Sequence, residues 1–394
     1  MKKLVFLFVF LSSSAFAQET LSEQSEISVI TCGPYQEELY SAFGHSAFRV
    51  YDRVNGIDEA YNYGVFDFNQ PHFYLNFARG YLYYRLGVYD YRAFEYHYIS
   101  DNRYVHQQVL NLNQAEKQKL FEYLRWNAEP ENQFYRYDYF YNNCATKMRD
   151  VMLTVFGDSV KFDGSYIKTD YTIRELTDQY LEYQPWGDLG IDICLGLPMD
   201  KKAAPIEYMF LPDYVESGFE HASIVRNGES SPLVKRRVAV YESQPESFSK
   251  GLFQPLYVFS AFLLFTVWIS YRDIKRKRIT TLFDGIFFTV LSAIGLLLLL
   301  LWIATDHNAA AKNFNLWWAL PTHLIAVIAF IRQPKWLEKY FGIAAIVTLL
   351  LLVAWPFLPQ KLHYALIPIV ITSAIRSYVQ YKIRKEKNQQ TING

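Results

Sequence analysis

Five apolar runs crowd the C-terminal third of this chain: Leu252 to Tyr271, Leu282 to Ala304, Leu316 to Ile331, Phe341 to Leu358 and Tyr364 to Tyr381. Each approaches the roughly 20 residues that cross a bilayer, where no water is present to satisfy backbone N–H and C=O groups, so this part of the chain is restricted to a helical bundle. The third run is short and contains Pro321 and His323. Basic residues sort to alternate loops. Arg272, Lys275, Arg276, Lys277 and Arg278 follow the first run, Arg332, Lys335 and Lys339 the third, and Lys382, Arg384, Lys385 and Lys387 the fifth. The other two loops hold only Lys312 and Lys361. Because positively charged loops stay in the cytoplasm, this pattern puts everything before the first run outside and the C-terminus inside.

The N-terminus agrees with that orientation. Lys2 and Lys3, an apolar stretch from Leu4 to Leu11, three serines and Ala15-Phe16-Ala17 read as a signal peptide, residues 1–17, cleaved ahead of Gln18. No cysteine follows the cleavage site, so the chain is not itself a lipoprotein. Residues 18–222 then form one extracytoplasmic domain in an oxidising compartment. Residues 223–250, with Asn227-Gly228 and Gln244-Pro245, read as a linker, 251–383 as the bundle and 384–394 as a cytoplasmic tail. A formal net charge of zero argues against nucleic acid as the main ligand. Aromatic residues make up 18% of the chain and concentrate between Phe73 and Tyr98 and between Phe134 and Tyr141. That composition suits a sheet face meeting lipid headgroups, or equally a strand-rich core rimmed by tyrosine.

Periodicity in the outer domain predicts an α+β fold. Strands are expected over 27–31, 47–51, 59–66, 81–98 and 105–112, with a hairpin turn at Asn55-Gly56. Asn113 and Glu116 form a capping box for a helix to about Asn127, stopped before Pro130. A second helix starts near Asn143, buries Met148, Val151, Met152 and Val155, and ends at Gly157. His45 thus opens a strand and Cys144 lies in the first turn of a helix.

A thiol at a helix N-terminus meets unpaired N–H groups and positive potential, which lower its pKa and can hold an oxyanion. An imidazole within reach completes a nucleophile–base pair, here in the order His before Cys, the reverse of papain. Three cysteines in an oxidising compartment leave at least one without a disulfide partner. Cys32 and Cys194 lie in structural-looking contexts and form the pair open to a disulfide, which leaves Cys144 free. Asn62 and Asp67 are candidates to orient the imidazole. A two-residue turn at Asn55-Gly56 would oppose residues 45 and 66, leaving Asn62 on the histidine's face but further along, and Asp67 nearer but facing away. Asn143 either caps the helix or joins the oxyanion hole. In the outer loop after the second apolar run, Asp306 and His307 are candidates for lipid headgroup contacts, with a solvated loop as the equally simple alternative. His72, His97, His106 and His221 lack metal-ligand spacing, and no metal is expected.

Three strings carry a family resemblance. Gly44-His45-Ser46-Ala47-Phe48-Arg49-Val50, Tyr61-Asn62-Tyr63-Gly64-Val65-Phe66-Asp67-Phe68 and Tyr141-Asn142-Asn143-Cys144-Ala145-Thr146-Lys147-Met148-Arg149-Asp150 resemble the N-terminal periplasmic domain of the Lnb family of lipoprotein N-acyltransferases. The resemblance is good from about Ile27 to Gly157, looser over the next hundred residues, and one of layout in the membrane part. Its His-then-Cys order is similar to circularly permuted papain-like proteins of the NlpC superfamily. The resemblance implies an inner-membrane acyltransferase. Cys144 would take an acyl chain from a membrane phospholipid as a thioester, and His45 would serve as base. The acceptor would be the free N-terminal amine of a diacylglyceryl-cysteine lipoprotein, with no cofactor. The same residues fit three rivals: a papain-like cysteine peptidase or amidase of the cell envelope, a phospholipase or thioesterase, and a non-enzymatic membrane receptor that would not need Cys144.

Overall fold

The computed structural model describes residues 19–67 and 69–393, so the signal peptide expected over 1–17 lies outside the described residues. Along the chain run β1 (Glu26–Cys32), β2 (His45–Asp52), β3 (Ile57–Val65), α1 (Phe73–Arg79), β4 (Tyr83–Asp90), α2 (Tyr91–Ser100), β5 (Val105–Leu110), α3 (Gln114–Ala128), β6 (Phe134–Arg136) and α4 (Cys144–Phe156). Then come β7 (Val160–Lys161), α5 (Ile173–Tyr180), α6 (Pro185–Cys194), α7 (Pro212–His221), β8 (Ser223–Arg226), β9 (Glu229–Pro232) and β10 (Val234–Tyr241). The C-terminal region is helical: α8 (Pro255–Arg276), α9 (Thr281–Ile303), α10 (His323–Ala329), α11 (Trp336–Ala354) and α12 (Ile367–Asn393).

Among the described residues the large sheet has seven strands in the order β10-β5-β1-β2-β3-β4-β6, and a small one has the order β7-β8-β9. The pairings of the large sheet are antiparallel throughout. Alternation along the strands divides the core in two. Val29, Phe48, Val50, Tyr61 and Tyr63 share one cluster with Leu120 and Phe121 of α3, Met148 and Met152 of α4, and Val215 and Phe219 of α7. Ile30, Cys32, Ala47 and Ala60 share the other with Tyr91, Phe94 and Tyr98 of α2.

That second layer corrects the strand expected over 81–98. The strand stops at Asp90, whose carboxylate accepts the Ala93 N–H at 3.0 Å and caps a helix. Tyr91, Phe94 and Tyr98 are buried at helical spacing, so packing on the sheet outweighs the β preference of a Tyr-rich segment. The linker expected over 223–250 is also redrawn. Residues 223–241 hold β8, β9 and β10, and β10 completes the sheet edge against β5, leaving 242–254 without helix or strand.

In the C-terminal region α8, α9 and the helix from Trp336 to Phe357 are long and apolar enough to cross a membrane. The third apolar run contains the seven-residue α10, just after Pro321. The fifth begins in a 3-10 turn, Tyr364–Leu366, and continues in α12, which packs on α8 and α11 and buries Thr372, Ser373, Arg376, Ser377 and Gln380. Arg376 holds three helices together, with Nε 2.6 Å from Asp284 Oδ1 of α9 and Nη2 2.9 Å from Asp273 Oδ2 of α8. The helical region is fastened to the sheet domain by Gly196 N donating to Ala309 O (2.7 Å), Asn313 Nδ2 to Ile193 O (2.7 Å) and Gln360 Nε2 to Leu195 O (2.9 Å).

Candidate active site

The helix that carries Cys144 starts where a local signal says it must. Asn143 is extended, its Oδ1 accepts the Thr146 N–H at 2.8 Å, and Thr146 Oγ1 accepts the Asn143 N–H at 2.8 Å. This reciprocal cap leaves Cys144 as the first residue of α4, among helix-terminal N–H groups. The Asn143 Nδ2 donates to Tyr139 O and Phe210 O, both at 2.8 Å. Its amide is therefore occupied on both sides by capping and loop contacts, and the alternative reading of this side chain as an oxyanion donor loses its free N–H.

His45 and Asn62 meet because the hairpin between β2 and β3 is longer than two residues. Asp52 pairs with Ile57, leaving a four-residue turn of Arg53 to Gly56, and Asp52 Oδ1 accepts the Val54 N–H at 3.0 Å within it. The register runs from Asp52↔Ile57 to Phe48↔Tyr61. Continued, it opposes residue 45 to residue 64 and makes Asn62 a diagonal neighbour on the same face, within side-chain reach. Asn62 Oδ1 lies 2.6 Å from His45 Nε2. The amide oxygen can only accept, so the proton is on Nε2 and Nδ1 is left to face the thiol. Asp67 does not join this group. Its carboxylate accepts the Asn69 N–H at 2.8 Å in an exposed turn beyond β3.

The electrostatics separate Cys144 from the other two thiols. Burial pushes the Cys144 thiol up, but the charge and hydrogen bond of His45, with the N–H groups of Ser46 and Ala145, outweigh it and the net shift is downward. Burial likewise pulls the His45 imidazole down, and the Cys144 sulfur and Asn62 outweigh that, so the net shift is upward. Opposite shifts of this kind describe a thiolate–imidazolium pair, the reactive state of a cysteine nucleophile. The Ser46 and Ala145 N–H groups that face the sulfur are also placed to stabilise an oxyanion formed beside it. Cys32 and Cys194 are raised by burial, which makes both poor nucleophiles. The expected Cys32–Cys194 disulfide is absent and both thiols are free. Cys32 is locked in β1 opposite His45, whereas Cys194 ends α6.

Sequence reasoning missed the walls of the site. Gly64 has φ +91°, a backbone conformation that favours glycine, and it lies in ordinary contact range of Cys144 Cβ and Tyr137, so the strand turns beside the thiol without strain. The His45 ring stacks on Tyr98 of α2 at 5.9 Å, which fixes its plane. Tyr84 packs on Tyr137 at 4.3 Å and on Phe66 at 5.3 Å, and Phe66 packs on Tyr40 at 6.5 Å, forming an aromatic wall that runs outward from the sulfur. The alternation Tyr135, Tyr137, Tyr139, Tyr141 was the available signal for this wall, but nothing local says which sheet edge it joins.

Asp306 and His307 both reach protein partners, with the Asp306 side chain still 44% exposed. Asp306 pairs with Arg136, and His307 Nε2 lies 3.0 Å from Phe77 O. Asp188, Asp192 and His363 bring donor atoms within 4.8 Å of one another, as a metal site would. Two of the three are committed. His363 Nδ1 accepts the Ala365 N–H, which leaves the Nε2 proton to Asp188 Oδ2 at 3.2 Å, and Asp192 is paired to Arg174 at 2.7 Å, whereas Asp188 Oδ1 is buried without a hydrogen-bond partner.

Comparison with known families matches residues 14–179 to the Lnb N-terminal periplasmic domain and residues 247–388 to the Lnb transmembrane domain. The chain belongs to the Lnb family. The first match covers the sheet domain as far as α5 and the second covers the helical region, in the order described above. Membership points to a membrane-associated, lipoprotein-modifying enzyme with a periplasmic N-terminal domain, an arrangement that fits the inner membrane. No curated protein and no solved structure matches the chain.

Proposed function

We propose that this Lnb protein is a lipoprotein N-acyltransferase working through a Cys144 thioester. The observation that carries the reading is the Cys144–His45–Asn62 group, a thiol pulled down by an imidazole that is itself held by an amide oxygen 2.6 Å away. In the first half-reaction the Cys144 thiolate attacks a carboxyl ester of a membrane phospholipid. His45 gives its proton to the departing glycerol oxygen, leaving an acyl thioester and a lysophospholipid. In the second half-reaction the free N-terminal amine of a diacylglyceryl-cysteine lipoprotein attacks the thioester carbonyl. His45 takes the amine proton and Cys144 leaves as thiolate, forming the amide. Both oxyanions form next to the Ser46 and Ala145 N–H groups. No group beyond the chain is needed to balance either step.

The strand carrying His45 precedes the helix carrying Cys144, which favours a circularly permuted papain-like arrangement, and two membrane-held substrates account for the tether to a helical bundle with its tail in the cytoplasm. The test is expression of the full chain in cells that lack lipoprotein N-acylation, with mass spectrometry of lipoprotein N-terminal peptides. An amide-linked acyl gain that disappears in both Cys144→Ala and His45→Ala is expected. Acylation that persists in Cys144→Ala would overturn the reading, and release of free fatty acid without amide would make the protein an esterase.

A further inference from the structure

The short helix α1 leaves its apolar side chains uncovered. Tyr74, Leu75 and Phe77 are 76%, 55% and 41% exposed, and no residue of the helix is buried. Next to water such a patch is unfavourable, and on a membrane protein it asks what covers it.

The contacts of α1 answer that question. Its last residue, Arg79, accepts the Asp306 N–H through its carbonyl at 3.0 Å, and Phe77 O lies 3.0 Å from His307 Nε2. Arg136 of the neighbouring β6 pairs with Asp306. Gly80, at φ +79°, closes the helix so tightly against this loop that a side chain would come within 3.0 Å of the Asp306 backbone. Asp306 lies only three residues beyond Ile303, where the membrane-crossing helix α9 ends. The loop cannot rise far in three residues, so α1 is held at the level where α9 leaves the bilayer. A second point marks the same level. Trp186 donates from Nε1 to Phe253 O at 2.9 Å, just ahead of α8, and Leu252 and Phe253 are 88% and 74% exposed there. Aromatic residues at the ends of spans favour the headgroup layer.

We propose that α1 lies in the outer surface of the membrane as a lipid-inserting element, with Tyr74, Leu75 and Phe77 among the lipids. Its occupant is the outer leaflet itself, continuous with the lipid around α9. The helix follows β3, which carries Asn62 and Gly64, and Phe66 between them begins the aromatic wall leading to the sulfur. Seating α1 in lipid therefore sets the mouth of the site against the leaflet. This inference rests on the membrane-crossing reading of α8 and α9 and not on the acyl-transfer chemistry.

The experiment uses the full chain with Cys144→Ser and Cys194→Ser, in which the remaining Cys32 is fully buried. Leu75→Cys, Phe77→Cys and, in the hairpin turn, Val54→Cys each receive a nitroxide label after reconstitution into phosphatidylethanolamine–phosphatidylglycerol vesicles. Collisions with oxygen, which concentrates in lipid, are compared with collisions with a water-soluble nickel chelate. At 75 and 77 oxygen should dominate, and at Val54, which is 62% exposed, nickel should dominate. Nickel dominance at 75 and 77 overturns the proposal, and so does protection from both reagents, which would mean a protein partner. Tyr74→Cys serves as the replacement should either label disturb folding. The readout needs no activity, so it stands if N-acylation fails. Where N-acylation is found, Leu75→Glu with Phe77→Glu should lower it while the alkylation rate of Cys144 by iodoacetamide stays at the wild-type value.

Discussion

Replacing Asn62 by alanine removes the acceptor that holds the protonated imidazole, and the size of the effect follows from the contact. A hydrogen bond to a charged group is worth about 1.5–3 kcal/mol, and one pKa unit corresponds to about 1.36 kcal/mol. The bond is short, 2.6 Å, but both residues are half-buried, so water can partly replace the lost amide. The lower half of the range applies, about one pKa unit. The lost bond destabilises the imidazolium equally whether thiol or thiolate lies beside it, so the first limb, where the thiolate forms, stays in place and the imidazolium gives up its proton about one unit lower in pH. Between the two limbs the ratio of thiolate–imidazolium to neutral thiol–imidazole falls about tenfold, and the alkylation rate there falls by up to that factor. The assay is iodoacetamide alkylation of the detergent-solubilised full chain as a function of pH, read as the mass of the Cys144 peptide. Cys32 and Cys194, whose thiols burial pushes up, should stay unlabelled in the folded chain. Asn62→Asp keeps an acceptor and adds negative charge, so its imidazolium limb should not move down. Should Asn62→Ala superimpose on the wild type at unchanged melting temperature, Asn62 does not support the imidazole and the assignment of the third residue is wrong.

Unreduced, denatured protein should take up three alkylating groups, one on each of Cys32, Cys144 and Cys194, and a mass showing only one free thiol would restore the disulfide. Arg376→Met leaves Asp273 and Asp284 buried without their cation and should cost about 3–5 kcal/mol, seen as a lowered melting temperature that Asp273→Asn with Asp284→Asn largely recovers. Asp178 supplies a pH test. Burial, then the Asp192 charge, raise its carboxyl from an ordinary 3.8 to about 7 against the pull of Lys361. The folded state then binds the proton more tightly than the unfolded one, so this group's stabilisation is full below about pH 4 and is lost as pH rises toward about 7. Melting temperatures of the wild type should fall across that window more steeply than those of Asp178→Asn, and parallel curves would refute the assignment.

Local signals in the chain were reliable where they involve neighbours three or four residues apart. The caps at Asn113 and Asn143 are reciprocal, as Asn-x-x-Glu and Asn-x-x-Thr allow, and they set the starts of α3 and α4. That is why Cys144 could be placed at a helix N-terminus from sequence. The segment after Asp90 shows the opposite case. Its tyrosines satisfy a strand pattern and a helix pattern alike, and only the apolar sheet face waiting above Ala47 and Ala60 selects the helix. β10, which reads as a polar linker, becomes a strand because the edge of β5 offers it a ladder of unpaired backbone groups.

By itself the amino-acid sequence determined the division into an outer domain and an apolar helical region, the helix start at Cys144 and the strand that His45 opens. These depend on composition, loop charge and short-range hydrogen bonding, which any stretch of chain carries with it. Tertiary structure alone decided that Asn62 and not Asp67 reaches the imidazole, because Asp52 holds a four-residue turn and a shift of two positions in register selects the partner. It alone decided that Asp306 and His307 fasten α1 and β6 to the loop after α9, since their partners lie more than 160 residues away in the chain, at Arg136 and Phe77.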